Sequence, residues 1–284
     1  VSFDRKYTPP HQEAFLILEH KEMNMNDKEI LVVKYGSASV TQDQMVNFER
    51  LEHYADSLAE QSEHYGIIVV SSGAIAVGRG LWYVHTEENH GAGFLSQQSL
   101  ATVGSGAVFS GWQAALWRRG LLAGQIQVTH KEIEDPDEGG MLQRVLEDNL
   151  TAGVVSVINE NDALSDIEIA KLKYGGDNDG LAAHIAKAVK ASRMCLLTEV
   201  DGLLDSRSQL VRTVEQDKLD AYLAMAGGAR SNGRGGMRSK FEAALTAAHS
   251  GIDSYIGHAA IRLQDVMDGQ GTHVAANLTQ TIVE

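Results

Sequence analysis

The sequence predicts an α/β fold, a three-layer αβα sandwich whose mostly parallel central sheet is covered by helices on both faces. Three observations carry that reading. Short apolar runs of strand length recur along the chain, stretches with apolar residues every three or four positions lie between them, and the two kinds alternate. Strand followed by helix followed by strand is the connection that parallel pairing requires.

Taken in order, residues 1–28 are polar and irregular, hold Pro9 and Pro10, and are expected to be a flexible extension ahead of a domain spanning 29–284. Met23 and Met25 stand where a compact domain could begin. The first strand is expected over 29–33. Between residues 43 and 65, Met45, Phe48, Leu51, Tyr54 and Leu58 fall three and four apart, which predicts a helix with one apolar side. Further strands are expected over 67–70, 154–158, 194–197 and 252–256, because each run is too short for a helix and rich in β-branched or large apolar residues. Helices fit 96–119, 141–151, 180–191, 218–226 and 237–250, and the polar, Gly-rich stretch 227–236 reads as a loop.

Composition sets limits on function. The chain has 284 residues, 43% hydrophobic and 22% charged, enough for a substantial core. Net charge is −14 and the acidic residues are scattered, so neither nucleic acid nor an anionic membrane is an expected partner. No run approaches the roughly 18 residues of a membrane span, and a basic-then-apolar secretion signal is not evident at the N-terminus, so a cytoplasmic protein is expected. The single cysteine, Cys195, lies in an apolar run and reads as core rather than nucleophile. Eleven histidines are scattered and read as surface or packing residues.

In parallel sheets ligands gather at the C-terminal ends of strands, and four segments placed there or at helix starts carry unusual content. Lys34-Tyr35-Gly36-Ser37-Ala38-Ser39 puts a lysine before small residues whose amides can approach an anion, although a lysine beside a turn is more often a solvated surface group. Ser72-Gly73-Ala74 opens a stretch of small residues, either a second anion cradle or a tight strand-to-helix turn. Asn159, Glu160, Asn161 and Asp162 follow one strand while Asp177, Asn178 and Asp179 precede a helix. Asp179 alone could be an N-cap, but seven such residues exceed capping needs. Together they suit a zwitterion, with a carboxylate for its ammonium and amides for its carboxylate, or else a hard cation. Finally, Gly233-Arg234-Gly235-Gly236-Met237-Arg238-Ser239-Lys240 is a glycine turn feeding a helix, without Walker spacing. It places Lys240 in a first helical turn, where a cation is disfavoured unless an anion is near. Two lysine-bearing glycine turns, a helix-opening cradle and an acid-amide cup point together to phosphoryl transfer, in which catalysis is mostly positioning and cationic stabilisation.

These motifs resemble the amino acid kinase superfamily and, within it, the glutamate 5-kinase family. The resembling stretches are V-V-K-Y-G-S-A-S-V-T (32–41), V-S-S-G-A-I-A-V-G-R (70–79), I-N-E-N-D-A (158–163), G-D-N-D (176–179), L-L-T-E-V-D-G-L (196–203) and G-R-G-G-M-R-S-K (233–240), in family order over about residues 29–275. The resemblance implies ATP-dependent phosphorylation of the γ-carboxylate of L-glutamate in proline synthesis, with Mg²⁺ on the ATP phosphates and no protein metal cage. It implies that Lys34 and Lys240 contact the transferring phosphoryl group, that Asp179 orients both, and that Gly36, Ser37, Gly73 and Ala74 supply amides. Ser72, Asp162 and Asn178 would bind glutamate, with Asn159 and Asn161 shaping the pocket. Thr198, Glu199 and the segment Arg234, Gly235, Gly236, Met237, Arg238, Ser239 and Lys240 would line the nucleotide site. A homodimer or homotetramer and inhibition by proline are further implications.

The chain departs from the family pattern in several places. Arg234 stands where threonine is usual and Glu199 where aspartate is usual. Residues 204–208 lack the family's tyrosine and proline, 139–143 replace a Tyr/Phe-Leu-Asn-x-Arg segment, and the C-terminal PUA domain of many members is expected to be missing. Two alternatives remain open on the sequence: another carboxylate, carbamate or phosphate acceptor on the same fold, and a non-catalytic ligand-binding homologue.

Overall fold

The computed structural model describes residues 28–86, 95–129, 132–133, 136–164, 178–227, 236–276 and 278. The expected extension over 1–28, apart from residue 28, lies outside the described residues, as do Asp177, Arg234, Gly235 and most of the Gly-rich loop.

Seven strands form one sheet in the order β5-β6-β4-β1-β7-β8-β9. They are β1 (Glu29–Tyr35), β4 (Tyr65–Val70), β5 (Leu122–Val128), β6 (Val154–Glu160), β7 (Arg193–Thr198), β8 (Asp253–His258) and β9 (Thr272–Val274). All neighbours pair in parallel except β8 with β9. The strands β2 (Thr41–Gln42) and β3 (Met45–Val46) make a small hairpin beside the sheet.

Alternation along the strands divides the core in two, as a period of two residues must. On one face Val32, Ile68, Ile158, Met194 and Leu196 pack against α5 (Pro136–Thr151), α6 (Asn178–Ala188), α7 (Leu219–Ala226) and α8 (Met237–Ala248). On the other, Leu31, Val33, Tyr35, Val69, Cys195 and Leu197 meet α2 (Phe48–Ser62), α3 (Ala74–Thr86) and α4 (Gln97–Trp117). This is the αβα arrangement the alternation predicts. Among the described residues no helix is long and apolar enough to cross a membrane.

Several elements differ from expectation, among them α5, which begins at Pro136 rather than at residue 141. The helix expected from residue 43 begins at Phe48, because Asn47 caps it through the Arg50 amide at 3.0 Å and the residues before it form the β2–β3 hairpin. Strand β5 was not expected: it is an edge strand, so exposed Gln125 and Gln127 interrupt the apolar signal that a central strand shows. Strand β9 is only three residues long and also lies at an edge. Cys195 is fully buried in β7, and burial pushes its thiol up to about 12, so it is a packing residue with no thiolate to offer at neutral pH.

The helices α3 and α4 approach closely enough that glycine is required between them. A β-carbon on Gly104 would lie 2.0 Å from the Ala74 carbonyl oxygen, and one on Gly78 would lie 1.8 Å from that of Leu100. The contact seats the first residue of α3, Ala74, which lies at the site described next.

Candidate active site

Strand β1 places the first functional side chain by parity. Val32 faces α6 and α8, so Lys34, two residues on, faces them too, and it is buried to 2% exposure at the strand's C-terminal end. Asp179, fully buried on the first turn of α6, meets it with Oδ1 2.5 Å from Lys34 Nζ. Lys240, from the first turn of α8, lies 3.0 Å from Asp179 Oδ2. The Ser239 hydroxyl sits 3.1 Å from the same oxygen and 2.9 Å from the Gly236 carbonyl. Lys240 is near a helix N-terminus, where a cation is disfavoured unless an anion is near; the anion beside it is the Asp179 carboxylate, the residue the resemblance assigns to both lysines. Three residues 34, 179 and 240 thus come from three elements and meet in the interior. Two ammonium groups held by one carboxylate at the cleft are donors suited to an anion.

The turn after β1 follows from Gly36. Its extended backbone caps α1 (Ser37–Val40), with the amides of Ser39 and Val40 bonded to its carbonyl at 3.0 and 3.2 Å. A β-carbon on Gly36 would lie 3.8 Å from Lys34 Nζ, so the ammonium curls back under this turn. The turn is held from three directions. Tyr54 OH donates to the Ser39 carbonyl at 3.1 Å, Arg50 Nη1 to the Ala38 carbonyl at 2.8 Å, and the Ser39 hydroxyl to Glu199 Oε1 at 2.8 Å. The other oxygen of Glu199 lies 3.2 Å from Arg50 Nη1. Glu199, expected in a nucleotide site, therefore has one carboxylate oxygen on the turn and the other on Arg50, which also holds the turn. The longer side chain spans from the end of β7 to α1 and α2.

The turn after β4 uses Gly73 at φ 103°, a left-handed value that favours glycine, and a β-carbon there would also lie 2.9 Å from Thr41 Cγ2. Ser71 is locked by three partners. Its amide donates to the Ile158 carbonyl at 2.8 Å, its hydroxyl accepts from Trp112 Nε1 at 2.8 Å, and its carbonyl accepts from Asn178 Nδ2 at 2.7 Å. Asn178 Nδ2 also donates to Asn159 Oδ1 at 2.9 Å, which ties the ends of β4, β6 and α6 together.

These segments enclose a cleft of about 550 Å³. Of the residues expected from the sequence, Lys34, Gly36, Ser37, Ser72, Gly73, Ala74, Asp162, Asn178, Thr198, Glu199 and Lys240 line it. Asp179 lies beneath it, paired with both lysines. Asn159 and Asn161 are not among the lining residues: Asn159 acts through Asn178, and the Asn161 amide donates to the Val128 carbonyl at 2.7 Å. Met237 packs against the core and Arg238 pairs with Glu242 at 2.8 Å on the surface, so neither side chain lines this cleft. Arg79, Gln97 and Thr41 line it and were not singled out, and Glu160 and Ser39, named within their clusters without a role of their own, line it too. Arg79 closes the small-residue motif of 70–79 and shares a helix face with Ile75 and Ala76, a signal available in the sequence. Gln97 carried none, since only tertiary packing brings the start of α4 here.

Residues 29–258 match the family described as the amino acid kinase family. The glutamate 5-kinase of Halalkalibacterium halodurans is 32% identical over 268 residues, covering 89% of this chain and 69% of that protein. The glutamate 5-kinase of Clostridium acetobutylicum is 31% identical over 247 residues, covering 84% of this chain and 90% of that protein. Among solved structures, a carbamate kinase from Giardia lamblia bound to AMP-PNP superposes with a TM-score of 0.64 at 12% identity, covering 88% of this chain and 99% of that one, a likeness of fold.

Proposed function

The chain belongs to the amino acid kinase family, and on that premise we propose that it transfers the γ-phosphoryl group of ATP to the side-chain carboxylate of L-glutamate, forming γ-glutamyl phosphate for proline synthesis. The observation that carries this reading is the meeting of Lys34, Asp179 and Lys240 at the base of a cleft lined by turn residues and by Asp162 and Asn178.

A glutamate side chain is ionised at neutral pH, so one of its oxygens can attack the γ-phosphorus without a general base. The new C–O–P bond forms as the bond to the β,γ-bridging oxygen breaks, and the electron pair leaves with ADP. Negative charge spreads over the transferring oxygens during this step. Lys34 and Lys240 stabilise that charge, and Asp179 keeps both ammonium groups in place without their swinging into solvent. Backbone amides of Gly36, Ser37, Gly73 and Ala74 act on phosphate and acceptor oxygens. Asp162 takes the substrate ammonium, while Ser72 and Asn178 hold the acceptor and Asn159 fixes the Asn178 amide. Thr198 and the start of α8 at Lys240 form the nucleotide side. The hard oxygen donor Glu160 lines the same cleft, a donor type that would suit Mg²⁺ held mainly by phosphates and water. When bound, Mg²⁺ neutralises phosphate charge. The same family reading supports a homodimer or homotetramer working in the cytoplasm.

The direct test is incubation with ATP, Mg²⁺, glutamate and hydroxylamine. Glutamate-dependent hydroxamate is expected; its absence at saturating substrate would overturn the proposal. The geometry around Glu199 yields a second expectation. Glu199→Ala frees the turn carrying the Gly36 and Ser37 amides, and because the carboxylate is partly exposed its contribution is about 1 kcal/mol. The KM for ATP is expected to rise about five-fold, with the KM for glutamate nearly unchanged, in steady-state kinetics.

A further inference from the structure

The cations along the cleft are not equivalent. Lys34 and Lys240 are committed to Asp179. Arg79 also lines the cleft, is exposed, and has no hydrogen-bond or ion-pair partner among the described residues. Its position on α3 gives it direction. Side chains on a helix lean toward the N-terminus, so Arg79 reaches back over Ile75 and Ala76, both lining residues, toward Ala74. Five residues at about 1.5 Å each separate it from Ala74 along the helix axis. The two carboxyl carbons of an extended glutamate stand four carbon–carbon bonds of about 1.5 Å apart, a comparable reach once the arginine leans back.

We propose that Arg79 is a specificity-determining residue that binds the α-carboxylate of the amino acid acceptor. This rests on the glutamate kinase reading and completes it. With the γ-carboxylate at the α3 start near Lys34, and the ammonium on Asp162, the second carboxylate of the substrate needs a cation farther along the cleft. An unpartnered guanidinium meets that need, because its planar donors match a carboxylate in two parallel hydrogen bonds. Selection for a substrate with both charges at its far end then comes from Asp162 and Arg79 together, while the reacting end is read by the buried lysines.

The experiment compares L-glutamate with L-isoglutamine, in which a neutral carboxamide replaces only the α-carboxylate, using hydroxamate formation as the readout. Wild-type protein is expected to prefer glutamate in kcat/KM by about 10- to 100-fold, the range for one charge-assisted contact. Arg79→Ala is expected to lower kcat/KM for glutamate by that factor, mostly through KM, and to leave isoglutamine within about three-fold, so that the preference disappears. Arg79→Lys should retain part of it. Isoglutamine is also measured as a competitive inhibitor against glutamate, so that slow turnover does not hide its affinity. Equal losses for both compounds, or a preference that survives Arg79→Ala, would overturn the assignment. Hydroxamate from neither compound with wild-type protein would instead overturn the kinase reading on which it rests.

Discussion

Lys34→Ala and Lys240→Ala are each expected to lower kcat about 10²- to 10³-fold, the range for removing one preorganised donor from a developing charge. The KM for glutamate should move by less than about three-fold, because the proposed mechanism gives the acceptor to Ser72, Asp162 and Asn178 rather than to these ammonium groups. Asp179→Ala acts differently. It leaves two ammonium groups, 2% and 4% exposed, without the carboxylate that lies 2.5 and 3.0 Å from them. Removing one member of a buried charge group costs about 3–5 kcal/mol, so this variant should lose stability as well as turnover. Urea unfolding and steady-state kinetics on the same preparations separate the two effects. Equal rises in glutamate KM and falls in kcat for the lysine variants would mean that the lysines support the fold rather than the reaction.

Gly104→Ala is expected to destabilise the protein by about 3 kcal/mol, the upper end for overpacking a well-filled contact. Its β-carbon would lie 2.0 Å from the Ala74 carbonyl oxygen and 2.4 Å from the Gly78 nitrogen. Both are helix backbone, so relief requires α3 to move away from α4 rather than a side chain to turn. That movement displaces Ala74 and with it one wall of the cleft, so activity should fall more than folded fraction alone predicts. Gly106→Ala on the same helix is the control: nothing lies within 4 Å of its β-carbon. Replacing an exposed helical glycine should stabilise by about 0.5–1 kcal/mol. Urea midpoints for the pair check the argument, and equal shifts in one direction would defeat it.

Much of the site was legible because its chemistry is local. Lys34, the Gly36 turn and the Ser72-Gly73-Ala74 opening each follow a strand recognisable from its apolar run, and the ends of parallel strands are where such residues converge. Asn178 and Asp179 stand out because they exceed what one helix cap needs. The contacts that escaped notice depend on distant partners. Ser39 matters through Glu199, 160 positions away, at 2.8 Å, and Trp112 through Ser71 at 2.8 Å. Met237 and Arg238 sit beside Lys240 in sequence, yet one faces the core and the other Glu242. Helical geometry turns neighbouring residues about 100° apart, so a motif of adjacent letters never shares one face.

By itself the sequence determined the layer order and the strand ends that bear function, because hydrophobic periodicity is a property of each segment and survives without its neighbours. It also determined that two glycine-rich turns and an acid-amide cluster coexist in one domain. Only the tertiary structure decided that the Asp179 carboxylate lies within 2.5 and 3.0 Å of the two ammonium groups, that Glu199 braces a turn, and that Arg79 opens onto the same cleft. Those facts depend on how helices from separate crossovers pack on the two faces of the sheet, and packing sums contacts between residues far apart in the chain, which no local pattern records.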